Sequence, residues 1–360
     1  MPRVARFEVR LHRGVTAAPV GAARARADVR GAALLTLIDD AGHVGQGEAA
    51  PLPGHSVETL DEAAAALASV RELFLGRTLA APMRHLLADR VRALPGSARF
   101  ALETAVLDLV ARRRAVPLRT LLSRAPAASV PGSAYVGAAL DAGVEAAALA
   151  AARAGFATVK VKLTGAPDAY DRELDVLRAL RRGLPRGVKL RLDVNGAWPA
   201  ADAPRMLARL RGLGVELVEQ PAPVGELRGL GRCAVPWAID ESLSDVGDTA
   251  AALWRGSGCV AAVVKPAVHG LLGGAAIAHR ARLAGKGVVV THFFDGPVGT
   301  AAACELALAV GDKRFAAGLA PHPGLSAWPA AEVHQLATPG AVTGTARPGH
   351  GVETITLEGP

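Results

Sequence analysis

The sequence predicts an α/β protein in which a (β/α) barrel follows a smaller α+β domain. Three observations carry that prediction. After Pro131, eight short apolar stretches alternate with Ala/Leu/Arg helical patterns over roughly 190 residues, enough for a compact barrel. Those stretches are apolar almost throughout, as strands of a helix-covered parallel sheet must be. Before them, about 50 residues alternate apolar and polar and then give way to helical periodicity, the order of an α+β unit. The rival arrangement, an open doubly wound sheet for a dinucleotide, is disfavoured because its first turns would need a G-x-G-x-x-G that is absent.

In chain order, "RFEVRLHR" and "AALLTLID" read as strands of a small antiparallel sheet with Gly and Asp turns between them. "VETLDEAAAALASV" and "ARFALETAVLDLVARRR" follow with helical spacing. The eight barrel strands are "SAYVGAAL", "TVKVKL", "KLRLDVN", "VELVEQP", "WAIDES", "VAAVVKP", "GVVVTHFF" and "RFAAGL". From about Leu325 the chain turns Pro/Gly-rich and ends in "GVETITLEG", a candidate strand returning to the first domain.

Composition narrows the classes. Of the 360 residues 51% are hydrophobic and only 4% aromatic, so the apolar mass is Ala, Val and Leu, which suits helix–strand packing. The formal charge of +8 is spread among acids, with no basic run carrying interleaved aromatics, so a nucleic-acid partner is not expected. Cys233, Cys259 and Cys304 have no metal-type spacing and fit a reducing compartment. The N-terminal segment lacks an apolar signal core, and no uncharged apolar run reaches the roughly 18–20 residues of a membrane span. The expectation is a cytoplasmic protein without a membrane partner; a homo-oligomer is compatible with the sequence.

The charged residues recur at strand ends. Lys160 and Lys162 end the second barrel strand, Asp193 and Asn195 the third, Glu219 the fourth, Asp240 and Glu241 the fifth and Lys265 the sixth. The C-terminal ends of barrel strands ring one mouth, so these positions form one constellation. Three converging carboxylates, Asp193, Glu219 and Asp240, call for a cation, and an all-oxygen set suits Mg²⁺, with Mn²⁺ the alternative ion. Lys160 and Lys162 lie on one strand face. A neighbouring ammonium lowers an amine's pKa, which prepares Lys162 as a base while Lys265 faces it from across the barrel. The expected chemistry is removal of a proton α to a carboxylate of a small substrate, with Mg²⁺ offsetting the charge that develops. A single strand-end Asp or Lys is more often a cap or a surface charge, as Asp240 before "ES" could be. Six in phase, with these signs, are not.

"KVK", "LDVNGAW", "VEQP", "AIDES" and "VVKP", in this order, resemble the muconate-lactonizing subgroup of the enolase superfamily. Sites of that superfamily are a known case of a Lys or His base working with Mg²⁺. The resemblance implies a modified TIM barrel, (β/α)7β, under an α+β N-terminal capping domain. The cap would be residues 1–125, the barrel 126–322, and 323–360 a C-terminal segment returning to the cap. It implies Asp193, Glu219 and Asp240 as Mg²⁺ ligands, Lys162 as acid/base, Lys160 as its neighbour and Lys265 as the lysine of the opposite face.

"GQGEAAPLPGHSVETLDEA" is similar to a segment of o-succinylbenzoate synthases of menaquinone biosynthesis, and Arg191 in "RLDVN" is a further likeness. Pro53, Gly54 and Ser56 would then close over the site. The implied reaction is dehydration of 2-succinyl-6-hydroxy-2,4-cyclohexadiene-1-carboxylate to 2-succinylbenzoate. The subgroup also contains muconate cycloisomerases, dipeptide epimerases and N-acylamino acid racemases. "THFFDGPVGTAAA" is closer to muconate cycloisomerases; it places His292, Asp295 and Gly296 at the mouth, where a Gly-rich turn entering a helix could bind a carboxylate. No Asp-x-Asp of the dipeptide-epimerase kind is found. Glu241 is expected as a partner of Lys265 or of a metal ligand. A barrel that only binds a metal or ligand is disfavoured by its intact lysines.

Overall fold

Three antiparallel strands open the chain: β1 (Val4–Ala22), β2 (Ala25–Asp39) and β3 (Val44–Ala49), paired in that order. The computed structural model describes residues 2–22, 25–78, 84–243, 258–328 and 337–357. Strand alternation gives β2 two buried faces. Ala33, Leu35 and Leu37 point to helices α1 (Leu60–Ser69) and α2 (Gly96–Arg113); Ala32 and Leu34 point the other way, toward the barrel. Leu35 and Leu37 are wholly buried, which contributes roughly 2 kcal/mol each. β3 lies so close to α2 that a Cβ at Gly47 would stand 1.8 Å from the Ala101 carbonyl oxygen. Helix α1 starts at a capping box in which Thr59 and Glu62 each accept from the other's backbone N–H.

Seven parallel strands follow in sequential order. They are β5 (Ala134–Ala138), β6 (Thr158–Lys162), β7 (Lys189–Asp193), β8 (Val215–Glu219), β9 (Trp237–Ile239), β10 (Cys259–Val264) and β11 (Gly287–Val290). The eighth expected strand, "RFAAGL", is reduced to two parallel bridges, Ala317 with Gly132 and Gly318 with Thr291. Those bridges join the two edges of the sheet. Helices α3 (Val144–Arg153), α4 (Tyr170–Gly183), α5 (Ala203–Arg209), α6 (Leu271–Leu283) and α7 (Pro297–Val310) cover the outside. The connection from β9 to β10 lies largely outside the described residues. Leu217, Ala238, Ala261, Val263 and Val289 form an apolar layer of their own, separate from the large outer core.

β4 (Ser129–Pro131) joins β12 (Ala337–Thr338) and β13 (Ala341–Thr343) in a small sheet that alternation had not indicated. The tail returns to the cap but not as the expected strand. Among the described residues, 353–357 have no ladder partner; instead the Gln46 side chain donates to the Ile355 carbonyl at 2.8 Å and accepts from its N–H at 2.8 Å. Arg10 donates to the Leu357 carbonyl at 2.7 Å. One amide side chain replaces the neighbouring strand. Among the described residues no helix is long and apolar enough to cross a membrane.

Candidate active site

Strands β6, β7 and β10 bring their C-terminal ends to one cavity of about 360 Å³. Lys160, Lys162, Asp193, Asn195 and Lys265 line it. The register places Lys162 beside Asp193 and Asp193 beside Glu219, so three chain-distant charges become neighbours. The Lys160 ammonium bridges two carboxylates, Glu219 at 2.5 Å and Asp193 at 2.9 Å. Lys265 donates to Asp240 at 2.6 Å. Glu219 and Asp240 therefore stand behind lysines rather than in the cavity wall. Asn195 donates to Glu241 at 2.9 Å and, through its backbone, to Asp193 at 3.1 Å, so Glu241 is held by Asn195.

Lys162 differs from the other two lysines. Among the described residues its side-chain Nζ has no hydrogen-bond or ion-pair partner, although the residue is only 9% exposed. Burial lowers its amine below the ordinary range; Asp193 opposes that, while Lys160 and Lys265 add to it. Burial would lower Lys160 as well, but Asp193 and Glu219 outweigh it and raise that ammonium. Against the same burial, Asp240 and Glu241 raise Lys265. The pair on β6 is thus one fixed cation and one amine that loses its proton more readily than an ordinary lysine.

The carboxylates are not equivalent either. Asp193 is buried yet lowered, because Lys160, Lys162 and Lys265 all face it. Asp240 is pushed up to about 7 by burial first, and by Glu241, Glu219 and Asp193 against Lys265. Among the described residues the Glu241 Oε2 is buried with no partner. Negative charge is in excess on that side, and an all-carboxylate donor set with an orphaned oxygen beside it fits a hard divalent cation. Among the described residues no three His, Cys, Asp or Glu side chains already form a metal cage; the ammonium groups of Lys160 and Lys265 contact the carboxylates instead.

Backbone strain gathers at the same rim. Asn195, Gln220 and Phe294, three of the four non-glycine residues with positive φ among the described residues, follow strands β7, β8 and β11. Gln220 is a residue the sequence reading passed over inside "VEQP". Its Oε1 accepts from the backbone N–H of Asp240 (3.1 Å) and Ser242 (3.2 Å), which fixes the loop carrying Asp240 and Glu241.

Of the remaining expected site residues only His292 lines the cavity. Arg191 is fully buried and holds Glu216 through two bonds (2.9 and 2.7 Å) and the Ala316 carbonyl at 2.8 Å; it ties β7 and β8 to the eighth strand and does not line the cavity. In the "PLPGHSVET" run, Leu52 and His55 line the cavity, and Pro53, Gly54 and Ser56 do not. Ser56 Oγ accepts from Leu52 N, Glu58 accepts from Ser97 N and Oγ at the start of α2, and Thr59 caps α1. Most of that segment builds the cap itself. His55 stands edge-on to Phe293, ring centroids 6.1 Å apart.

His292 lines the cavity against His322, ring centroids 4.0 Å apart, and accepts from Phe294 N through Nδ1 at 3.2 Å. Burial, reinforced by Lys160, pushes it down to about 3, so the ring is neutral. Asp295 and Gly296 sit behind the wall. Asp295 is 1% exposed and accepts from Phe293 N at 2.8 Å. The turn entering α7 does bind a carboxylate through backbone N–H groups, but it is the chain's own Glu48, which accepts from Gly296 and, at 3.0 Å, from Gly299.

Residues 143–356 match the family model described as "Enolase C-terminal domain-like", and residues 6–123 match the "Mandelate racemase / muconate lactonizing enzyme, N-terminal domain". The chain belongs to the enolase superfamily. It is 38% identical to the o-succinylbenzoate synthase of Thermobifida fusca over 49% of this chain and 56% of that relative. It is 32% identical to the L-Lys-D/L-Arg epimerase of Methylococcus capsulatus over 76% of this chain and 78% of that one. The solved dipeptide epimerase of Methylococcus capsulatus, complexed with Mg and the dipeptide L-Arg-D-Lys, superimposes with a TM-score of 0.81 at 28% identity over 97% of this chain and 99% of that chain. The L-Ala-D/L-Glu epimerase of Bacillus subtilis, at 22% identity and TM-score 0.84 over 99% and 100%, shares the fold. The fold is thus a modified TIM barrel with an α+β cap, and the chain is an enzyme of the mandelate racemase/muconate lactonizing group.

Proposed function

We propose that this enzyme is a Mg²⁺-dependent o-succinylbenzoate synthase of menaquinone biosynthesis, acting in the cytoplasm on a small carboxylate and needing neither nucleic acid nor membrane. One observation carries the chemistry: among the described residues Lys162 is the cavity lysine whose side-chain Nζ has no bonded partner, while Lys160 and Lys265 are held by carboxylates.

Asp193, Glu219 and Asp240 would hold the ion, which supplies positive charge opposite the substrate carboxylate. The Lys162 amine takes the α-proton of the cyclohexadiene carboxylate, and the electron pair passes into the substrate's carboxylate as an enediolate. Lys162, now an ammonium, returns that proton to the departing hydroxide, which leaves as water; the ring becomes aromatic. Lys265 and Lys160 stay charged through their carboxylate partners and oppose the negative charge as it develops.

The choice of substrate rests on the wall. Among the described residues Asp193 is the only carboxylate that lines the cavity; the lining also includes Leu52, His55, Tyr135, Phe294 and His322. Such a wall suits an apolar ring better than a cationic dipeptide, whose ammonium would want an acid. The identity with the Thermobifida fusca synthase agrees. The second reading, an epimerase of dipeptides or acylated amino acids, has its support in the greater coverage of the Methylococcus capsulatus relative.

The test is a spectrophotometric assay with the cyclohexadiene substrate and Mg²⁺, beside an EDTA control and a panel of dipeptides, N-acylamino acids and muconate. Loss of diene absorbance that EDTA abolishes is expected. Turnover confined to dipeptides or acylated amino acids would replace this reading with the second one.

A further inference from the structure

Arg30, on β2 of the cap, is 2% exposed and has no bonded carboxylate among the described residues. Its guanidinium donates instead to four backbone carbonyls in two separate loops. Nη1 reaches Pro51 at 2.6 Å and Nη2 reaches Ala50 at 2.7 Å, both in the cap loop. Nε reaches Phe294 at 2.9 Å and Nη2 reaches Phe293 at 3.2 Å, both in the loop after β11. The cap loop continues directly into Leu52 and His55, and the barrel loop carries His292, Phe293 and Phe294, all of which line the cavity. Glu48, next door on β3, grips the same barrel loop at its far end through Gly296 and Gly299. A Cβ at Gly296 would lie 2.2 Å from the Trp328 Nε1 and 2.7 Å from the Glu48 Oε1, so this backbone is packed between the indole and the carboxylate.

We propose that Arg30 is a positioning residue that fixes the cap loop and the seventh barrel loop against each other, and so sets which substrates the cavity accepts. The inference rests on the active-site reading above for its kinetic consequence, though not for its geometry. The planar fork is what allows one side chain to span two loops; a lysine ammonium, as a point donor on a flexible stem, cannot reach all four oxygens. None of the Arg30 bonds touches Lys160, Lys162, Asp193, Glu219, Asp240 or Lys265, which are carried by β6 to β10. Loss of the fork therefore loosens two walls of the cavity and leaves its charged floor in place.

The experiment compares the full chain with Arg30→Lys and Arg30→Met. It measures kcat and KM for the cyclohexadiene substrate and for an N-acylamino acid, Mn²⁺ affinity, and hydrogen–deuterium exchange of peptides covering 48–56 and 292–299. KM should rise about tenfold with kcat within about threefold, and the ratio of kcat/KM between the two substrates should shift. Mn²⁺ affinity should hold within about twofold, exchange in both peptides should quicken together, and Lys should rescue only in part. Unchanged KM and substrate preference in a folded variant overturns the proposal, as does loss of Mn²⁺ affinity together with kcat, which marks general collapse. If Arg30→Met does not fold, Arg30→Lys decides. If the unmodified enzyme turns over neither substrate, the functional reading fails and exchange alone decides here: faster exchange in both loops supports the positioning role, and unchanged exchange overturns it.

Discussion

The barrel mouth and the seam between cap and barrel each bury a cluster of opposite charges, and they satisfy those charges differently. At the mouth ammonium meets carboxylate across neighbouring strands, and Lys162 faces the cavity without a bonded partner among the described residues. At the seam Arg30 and Glu48 are bonded to backbone carbonyls and N–H groups, and neither lines the cavity. Side-chain pairs can rearrange when an ion or substrate enters, whereas backbone partners stay with their loops. The mouth is built to move a proton, and the seam is built to hold two loops still.

The largest expected effect removes the feature that most separates the two clusters. Lys162→Ala should cut turnover about a thousandfold, within the usual span for a general base, and leave thermal unfolding within a few degrees. A variant that keeps a tenth of the activity would make the mouth as inert as the seam and end the assignment. Glu219→Gln should come next. It takes one of the two carboxylates from Lys160, and divalent-ion affinity read by titration calorimetry should fall at least about tenfold. An unchanged affinity would remove Glu219 from the proposed ligand set.

The pH dependence separates the clusters by sign. Lys162 acts as the free amine and is lowered below 10.5, so kcat/KM should climb about tenfold per pH unit and level off below that value. A plateau only above pH 10.5 would contradict the lowered amine. At the seam, burial first and then Asp295 push Glu48 up to about 7 from 4.5, against Gly299, Gly296 and Arg30. The folded state then binds this proton more tightly than the unfolded chain. Its contribution to stability is complete below pH 4.5 and is lost as the pH rises through about 7, by about 3 kcal/mol at most. Glu48→Gln should flatten that part of the stability curve between pH 4.5 and 7, measured by denaturant titration at each pH. An unaltered slope would show that Glu48 is already ionised. The smallest effect belongs to the loop between the clusters. Val57 is 96% exposed, so Val57→Ser should change stability by less than about 0.5 kcal/mol and leave KM unchanged.

Much of the mouth was legible because strand periodicity and one-per-strand spacing both point there. Lys160, Lys162, Asp193, Asn195, Asp240, Glu241 and Lys265 stand at strand ends, and the register of β6 to β10 brings them together. The loop positions were not legible in the same way. Pro53, Gly54, Ser56, Asp295 and Gly296 belong to turns whose direction depends on what packs against them, and the cap and α7 turned them away from the cavity. Arg191 illustrates the limit on a strand: alternation gives its face but not its depth, and it lies two residues below Asp193 with Glu216 as its partner. The seam left a signal that went unread. Arg30 shares strand parity with Ala32 and Leu34, and Glu48 with Ala50, so both charges sit on the buried, barrel-facing side of the cap sheet.

The sequence by itself determined the order of the barrel strands β5 to β11 and their helices, the barrel class, and the charged residue at the end of each strand from β6 to β10, because these follow from local periodicity. Only the tertiary structure decided which lysine is left unpaired, which carboxylates stand behind the wall, and which loops the cap holds in place. Those outcomes depend on distances between residues far apart in the chain, and on which charges are removed from water together.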